Sequence, residues 1–230
     1  NRVIYISQNH PEVIKPLNLN LNYNKIDNDY IESDFPIIVI DNLLSKEALN
    51  IIWNYCLEST IWFDCKENGG YLGSYMTDGF DHPILIDLAK DLKNKLPKTF
   101  KKKFLNQMWA LKYKSTGKGT RLHADDALLN LNLWITPDSS KNSIDEDSGM
   151  VIYKKSVPEE WNFEDYNQSD TKIENYIKLS DPQKVTIPYK ENRAVIFDSK
   201  FIHKSQDINF KNGYKNKRIN ITMLFDLIYS

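Results

Sequence analysis

Two cysteines, Cys56 and Cys65, are too few in a chain of 230 residues for a disulfide framework, so a packed core must hold the fold. That sparing use of cysteine points to a reducing, cytoplasmic setting. Long apolar runs are missing as well. The longest, such as 36–40 and 128–135, fall far short of the about 20 residues that a membrane-spanning helix needs, so no membrane partner is expected. A dominant charge is also lacking, because 30 Lys and Arg against 31 Asp and Glu leave a net charge of -1. That balance supplies no general field for nucleic acid, and the one basic cluster, 93–103, reads as the solvated end of a helix. There is no nucleotide loop: Gly69-Gly70-Tyr71-Leu72-Gly73 lacks the lysine-bearing helix start that cradles phosphates, which leaves a structural turn or a mobile lid. No internal repeat is visible. The first residue is Asn1 rather than methionine, so a missing leader pattern says little about secretion.

What is present is the composition of one globular catalytic domain, 41% hydrophobic and 27% charged. Residues 1–35, rich in Asn and Asp without strong periodicity, read as a loosely ordered lead-in to a single domain over 36–230. Within that domain, helical support is expected at about 45–103. Pro36-Ile37-Ile38-Val39-Ile40 reads as a buried strand. Ser45 is a plausible N-cap for a helix over 46–59, with Leu49, Ile52, Trp53 and Cys56 at helical spacing. A second amphipathic helix is expected over 83–96, stopped by Pro97. From Phe104 the texture is β, with strands predicted at 107–112, 128–136, 150–153, 183–187, 194–198 and 218–227. Many short strands between turns predict a sandwich or barrel core over about 104–227. Residues 154–182, aromatic and acidic, interrupt it as a flap or a small helical addition.

The chemistry sits in His123-Ala124-Asp125. Residues i and i+2 of an extended segment point the same way, so His123 and Asp125 reach one metal, whereas Asp126 projects oppositely. Alone the triplet is weak, since one His-x-Asp is expected by chance in about a quarter of such chains. Its company strengthens it. His203 follows the predicted strand 194–198 at a strand-to-loop exit, and two imidazoles with one carboxylate form the ligand set of non-haem Fe(II) sites. Arg218 opens an alternating segment in which Arg218, Asn220 and Thr222 share one face, and Ile219, Ile221, Met223 and Phe225 the other. That pattern suits a barrel wall with a polar end inside. An inward arginine is costly unless an anion meets it, either a permanent Asp or Glu or the carboxylate of a ligand. Asn130, Asn132 and Trp134 alternate with Leu129, Leu131 and Leu133. For the amides to face the cavity, a bulge or turn near Asp126 must reset the parity.

The order His-x-Asp, a second His about 80 residues on and an Arg on the next strand resembles the Fe(II)- and 2-oxoglutarate-dependent dioxygenases, particularly their prolyl-4-hydroxylase-like and related bacterial branch. Asn192–Asp198 before His203, Gly213-Tyr214 before Arg218, and Trp109–Tyr113 ahead of His123 add to the likeness, which spans about 36–225. The resemblance implies a double-stranded β-helix (jelly-roll, cupin-like) core, mainly β, with N-terminal helices packed on one sheet. It implies Fe(II) held by His123, Asp125 and His203, and 2-oxoglutarate as cosubstrate, its distal carboxylate on Arg218 with Tyr113 beside it; Asn132 and Asn220 are further candidates for cosubstrate contact. It implies use of O2, release of succinate and CO2, and hydroxylation of a peptide residue or a small metabolite. Halogenating members replace the carboxylate by a small residue, so Asp125 favours hydroxylation. Nucleic-acid demethylases of the superfamily carry a second arginine six residues after the first, where this chain has Leu224. The competing reading is a non-catalytic cupin-like module that binds a metal or a carboxylate.

Overall fold

The computed structural model describes residues 5–7, 15–67, 69–143 and 148–227. In chain order it contains α1 (Tyr23–Glu32), β1 (Ile37–Asp41), α2 (Lys46–Glu58), β2 (Asp64–Lys66), β3 (Tyr71–Tyr75) and α3 (Pro83–Lys95). There follow β4 (Lys103–Tyr113), β5 (Thr116–Gly117), β6 (Leu129–Trp134), β7 (Met150–Ser156), α4 (Phe163–Asn167) and α5 (Asp170–Ser180). The last strands are β8 (Lys184–Ile187), β9 (Arg193–Asp198), β10 (Phe201–Ser205), β11 (Ile208–Asn209) and β12 (Ile219–Leu227). No described helix is long and apolar enough to cross a membrane.

The large antiparallel sheet has the order β1-β9-β6-β12-β4-β3-β2, and a smaller one the order β10-β7-β8. From β4 onward the chain alternates between them: β4, β6, β9 and β12 enter the large sheet, β7, β8 and β10 the small one. That winding is a double-stranded β-helix. Period-two patterning decides which side of the large sheet each residue serves. Leu129, Leu131, Leu133, Ile219, Ile221, Met223 and Phe225 join the core beneath α2 and α3, while Leu111, Tyr113, Trp134, Val195 and Phe197 fill the space between the sheets.

The helices form where caps and stripes place them. Ser45 Oγ accepts from Ala48 N at 3.2 Å to start α2, which buries Ala48, Ile52, Tyr55 and Cys56. Pro83 opens α3, whose Ile84, Leu85, Leu88 and Leu92 are buried. Both cysteines are free, Cys56 buried and Cys65 exposed.

Three expectations need correction. The 1–35 segment is not loose throughout, since α1 is anchored by buried Tyr23, Tyr30 and Asp27, the last accepting from Thr99 N at 2.8 Å and Lys98 N at 3.0 Å. The strand at 36–40 lies at the sheet edge rather than buried, with Val39 43% exposed. Gly69-Gly70, by contrast, is the structural turn that was expected, joining β2 to β3 in a hairpin that extends the large sheet. Finally, His203 lies inside β10, not at a loop exit.

One buried cation disturbs the helix-side core. Lys112 shares its β4 face with Met108 and Ala110, is 5% exposed, and its Nζ has no hydrogen-bond partner among the described residues. The ammonium stacks 3.4 Å from the Tyr214 ring centroid and 5.2 Å from that of Trp62. Burial pushes its pKa from 10.5 to about 8, with nearby Cys56 opposing and Lys217 adding to the shift. Between these two values the unfolded chain binds a proton that the folded one refuses, so this group makes stability rise with pH across that window. Lys112→Met is therefore expected to raise the melting temperature at pH 7 by a few degrees, since about 1 kcal/mol shifts a chain of this size by about 2–4 °C. The gain should shrink from pH 8 to 10 in thermal melts; a gain independent of pH would refute the buried charge as its cause.

Candidate metal centre

His123 sits on an isolated antiparallel bridge opposite His203 of β10. The two backbones exchange hydrogen bonds, His123 N to His203 O at 3.0 Å and His203 N to His123 O at 2.8 Å. Residues so paired project to one side of the sheet, and the imidazole centroids are 4.3 Å apart. Asp125 joins them from the extended turn after His123, its N–H held by Ser199 O at 3.0 Å. One ligating atom from each of the three lies within 4.8 Å of the others, a spacing that one metal ion spans. His123 Nε2 is 3.9 Å from Asp125 Oδ1, and His203 Nε2 is 3.4 Å from Asp125 Oδ2.

Both rings are oriented for ligation. His123 Nδ1 lies 2.8 Å from Arg121 O, and His203 Nδ1 2.9 Å from Phe201 O. A carbonyl only accepts, so each Nδ1 carries the proton and each Nε2 lone pair turns toward the carboxylate. Burial, then neighbouring His203, pushes the His123 pKa down to about 4, leaving that ring neutral at pH 7 as a ligand must be. Burial works against ionising Asp125, but the attraction that His203 and then His123 would exert in their protonated forms, with the hydrogen bond from Asn130, draws its carboxyl below the usual range. Asp126 goes elsewhere, accepting from Tyr166 OH at 2.8 Å and Lys200 Nζ at 3.0 Å.

A cavity behind the cluster runs between the sheets, walled by Trp109, Tyr113, Asn132, Trp134, Met150 and Arg218. Arg218 is 1% exposed and stacks with Tyr113, Trp134 and Tyr189, its guanidinium carbon 4.8, 5.6 and 5.7 Å from their ring centroids. Its polar contact is a long one, Nη2 to Gly149 O at 3.5 Å, while Nε and Nη1 have no partner among the described residues. Gly149 must be glycine, because a Cβ there would lie 2.0 Å from Ile187 O. No described residue gives Arg218 a carboxylate. A buried guanidinium with unmet donors is costly, and a planar anion satisfies it with paired hydrogen bonds.

The bend at 126–128 resets the parity after Asp125, so Asn132 lines the cavity while Leu131 and Leu133 enter the helix-side core. Asn220 lines it too. Tyr113 turns its ring to Arg218 and places its hydroxyl 3.4 Å from Ser205 Oγ. Trp134 and Tyr189, which complete the ring cage, were not singled out from sequence. The period of β6 already put Trp134 on the face of Asn132, but no pattern marked Tyr189, which lies beyond β8.

The segment 154–182 is a helical addition rather than a free loop. Between His123 and Asp125, Ala124 donates its N–H to Tyr166 O at 3.0 Å and accepts from Asn167 Nδ2 at 2.9 Å. Arg121 grips the same segment through Asn167 O at 2.9 Å and Asp170 at 3.2 Å. Outside the cluster a cleft of about 1700 Å³ opens past Tyr71, Tyr75, Trp109, Arg121, Phe163 and Asn167.

No protein-family model matches the sequence, and a search of curated protein sequences finds no relative. Solved structures do match. EctD from S. alaskensis, determined with 2-oxoglutarate and 5-hydroxyectoine, is 12% identical, with 99% of this chain and 88% of that one covered at a TM-score of 0.56. The epimerase SnoN from nogalamycin biosynthesis, in complex with Fe3+, alpha ketoglutarate and nogalamycin RO, is 13% identical over 89% of this chain and 83% of that one, with a TM-score of 0.55. A Pseudomonas putida prolyl-4-hydroxylase is 10% identical over 90% of this chain and 100% of that one, with a TM-score of 0.55. The chain shares their fold. In this double-stranded β-helix His123 pairs alongside β10 at His203 and Arg218 immediately precedes β12, so the cluster and the buried cation line one cavity between the sheets.

Proposed function

We propose that the chain is an Fe(II)- and 2-oxoglutarate-dependent dioxygenase that hydroxylates a C–H bond of a peptide residue or small metabolite. The observation that carries this reading is Arg218, a buried guanidinium with two nitrogens unpaired among the described residues, in the same cavity as a His-Asp-His cluster. A barrel that only held a metal would have no use for that buried charge, which disfavours a non-catalytic module. The EctD and SnoN structures, solved with 2-oxoglutarate or alpha ketoglutarate, add support.

His123, Asp125 and His203 would hold the iron, and nitrogen and oxygen donors in this mixture suit it. Arg218 would take the far carboxylate of the cosubstrate, with Tyr113, Trp134 and Tyr189 keeping water from that ion pair. Iron and 2-oxoglutarate together supply the activation of O2, with succinate and CO2 as products. Asp125 fills the third ligand position with a carboxylate, leaving no gap for a halide. The broad cleft would receive the substrate, its aromatic wall and amides suiting a peptide or an amine-bearing molecule equally.

The test supplies purified protein with Fe(II) and 2-oxoglutarate under air. Slow succinate release without substrate is expected, and a peptide and metabolite pool should yield a species one oxygen heavier. Absence of both 2-oxoglutarate binding and succinate release would reject the reading.

A further inference from the structure

The carboxylate of the cluster stands at the end of a chain of side-chain amides. Asn130 Nδ2 donates to Asp125 Oδ2, Asn132 Nδ2 donates to Asn130 Oδ1 at 2.7 Å, and Asn132 Oδ1 accepts from Asn220 Nδ2 at 2.8 Å and Thr222 Oγ1 at 3.2 Å. All four of these polar residues are buried: Asn130 is 0% exposed and none of the others exceeds 8%.

The direction of this chain is forced from one end. An ionised carboxylate only accepts, so Asn130 must turn its NH2 to Asp125 and its oxygen away. Asn132 must then offer its own NH2 to that oxygen and present an oxygen onward, where Asn220 and Thr222 supply donors. Reversing any amide would set oxygen against oxygen inside the protein. One consequence is visible at the far end, where Asn220 Oδ1 is left without a partner among the described residues. Dipoles aligned head to tail reinforce one another, so the hydrogen bond delivered to Asp125 exceeds that of an isolated amide.

We infer that Asn130 is a positioning residue for Asp125, and that Asn132, Asn220 and Thr222 act in series behind it. The relay arrests rotation of the carboxylate by gripping Oδ2 and so sets Asp125 for ligation before a metal arrives. Asn132 thereby gains a role beyond lining the cavity. The inference rests on the metal-site part of the proposed function and not on 2-oxoglutarate.

Co(II) titrated into the metal-free protein tests this without turnover, by calorimetry and by the visible spectrum of the bound ion. Asn130→Ala should weaken Co(II) by about 10–100-fold, as is typical when a partner holding a ligand is removed, and should alter the spectrum. Asn132→Ala should weaken it less, and the double variant should be no worse than Asn130→Ala alone, because the two act through one bond. If Asn130→Ala destabilises the fold, Asn132→Ala carries the test through its affinity and spectrum. Wild-type affinity and spectrum in either single variant, or additive losses in the double, would overturn the relay. Failure of the unmodified protein to bind Co(II) would reject the metal site itself, and failure to bind 2-oxoglutarate alone would leave the relay standing.

Discussion

Arg218→Met is expected to weaken 2-oxoglutarate binding by about 100-fold or more while raising the melting temperature of the ligand-free protein. The first effect follows from removing one partner of a desolvated ion pair, which costs about 2–5 kcal/mol. The second comes from the free protein, in which Arg218 is 1% exposed with Nε and Nη1 unpaired among the described residues. Replacing a buried charge by a well-packed apolar side chain of similar length stabilises by about 1–4 kcal/mol where the charge is poorly met. The rings of Tyr113, Trp134 and Tyr189 offset part of that gain through cation–π contact, so a rise of a few degrees is expected rather than ten or more. Calorimetric titration and a thermal melt read the two effects separately. Loss of stability with unchanged 2-oxoglutarate affinity would make Arg218 a structural residue and remove the main support for a dicarboxylate cosubstrate.

Why Arg218 was legible in the sequence and its surroundings were not is a matter of range. Arg218, Asn220 and Thr222 announce a polar face because β12 alternates over nine residues, and the same period on β6 separates Leu129, Leu131 and Leu133 from Asn130 and Asn132. Ser45 and Pro83 announce their helices through local capping chemistry. Helix α1 stayed hidden because its anchors are two tyrosines and an aspartate whose partners, Lys98 and Thr99, lie some 70 residues away. Strand β10 is only five residues long, and its identity depends on pairing with β7 and the bridge to His123. Tyr189 joins the arginine cage only through the fold. The amide relay shows the same limit: alternation puts Asn130 and Asn132 on one face, but the direction of their hydrogen bonds is set by Asp125, across a bend.

Asp125→Ala and Asp126→Ala form the sharpest contrast the chain offers, because neighbouring carboxylates are expected to differ by orders of magnitude in their effect on metal binding. Asp125 lies within ligating reach of both histidines, while Asp126 accepts from Tyr166 and Lys200 and serves the helical addition. Structural zinc sites gain about 10–16 kcal/mol from four ligands, or about 3–4 kcal/mol each, so Asp125→Ala should lose about 100- to 1000-fold in Co(II) affinity. Asp126→Ala should retain the affinity and instead loosen the contact between 154–182 and the ligand loop, seen as faster amide exchange at Ala124 and Tyr166. The segment 123–126 should survive either change, since Ala124 and Asp125 are held through their main-chain N–H groups, by Tyr166 O and Ser199 O. Equal metal loss in both variants would mean that the loop rather than one carboxylate determines binding, and the ligand assignment would fall.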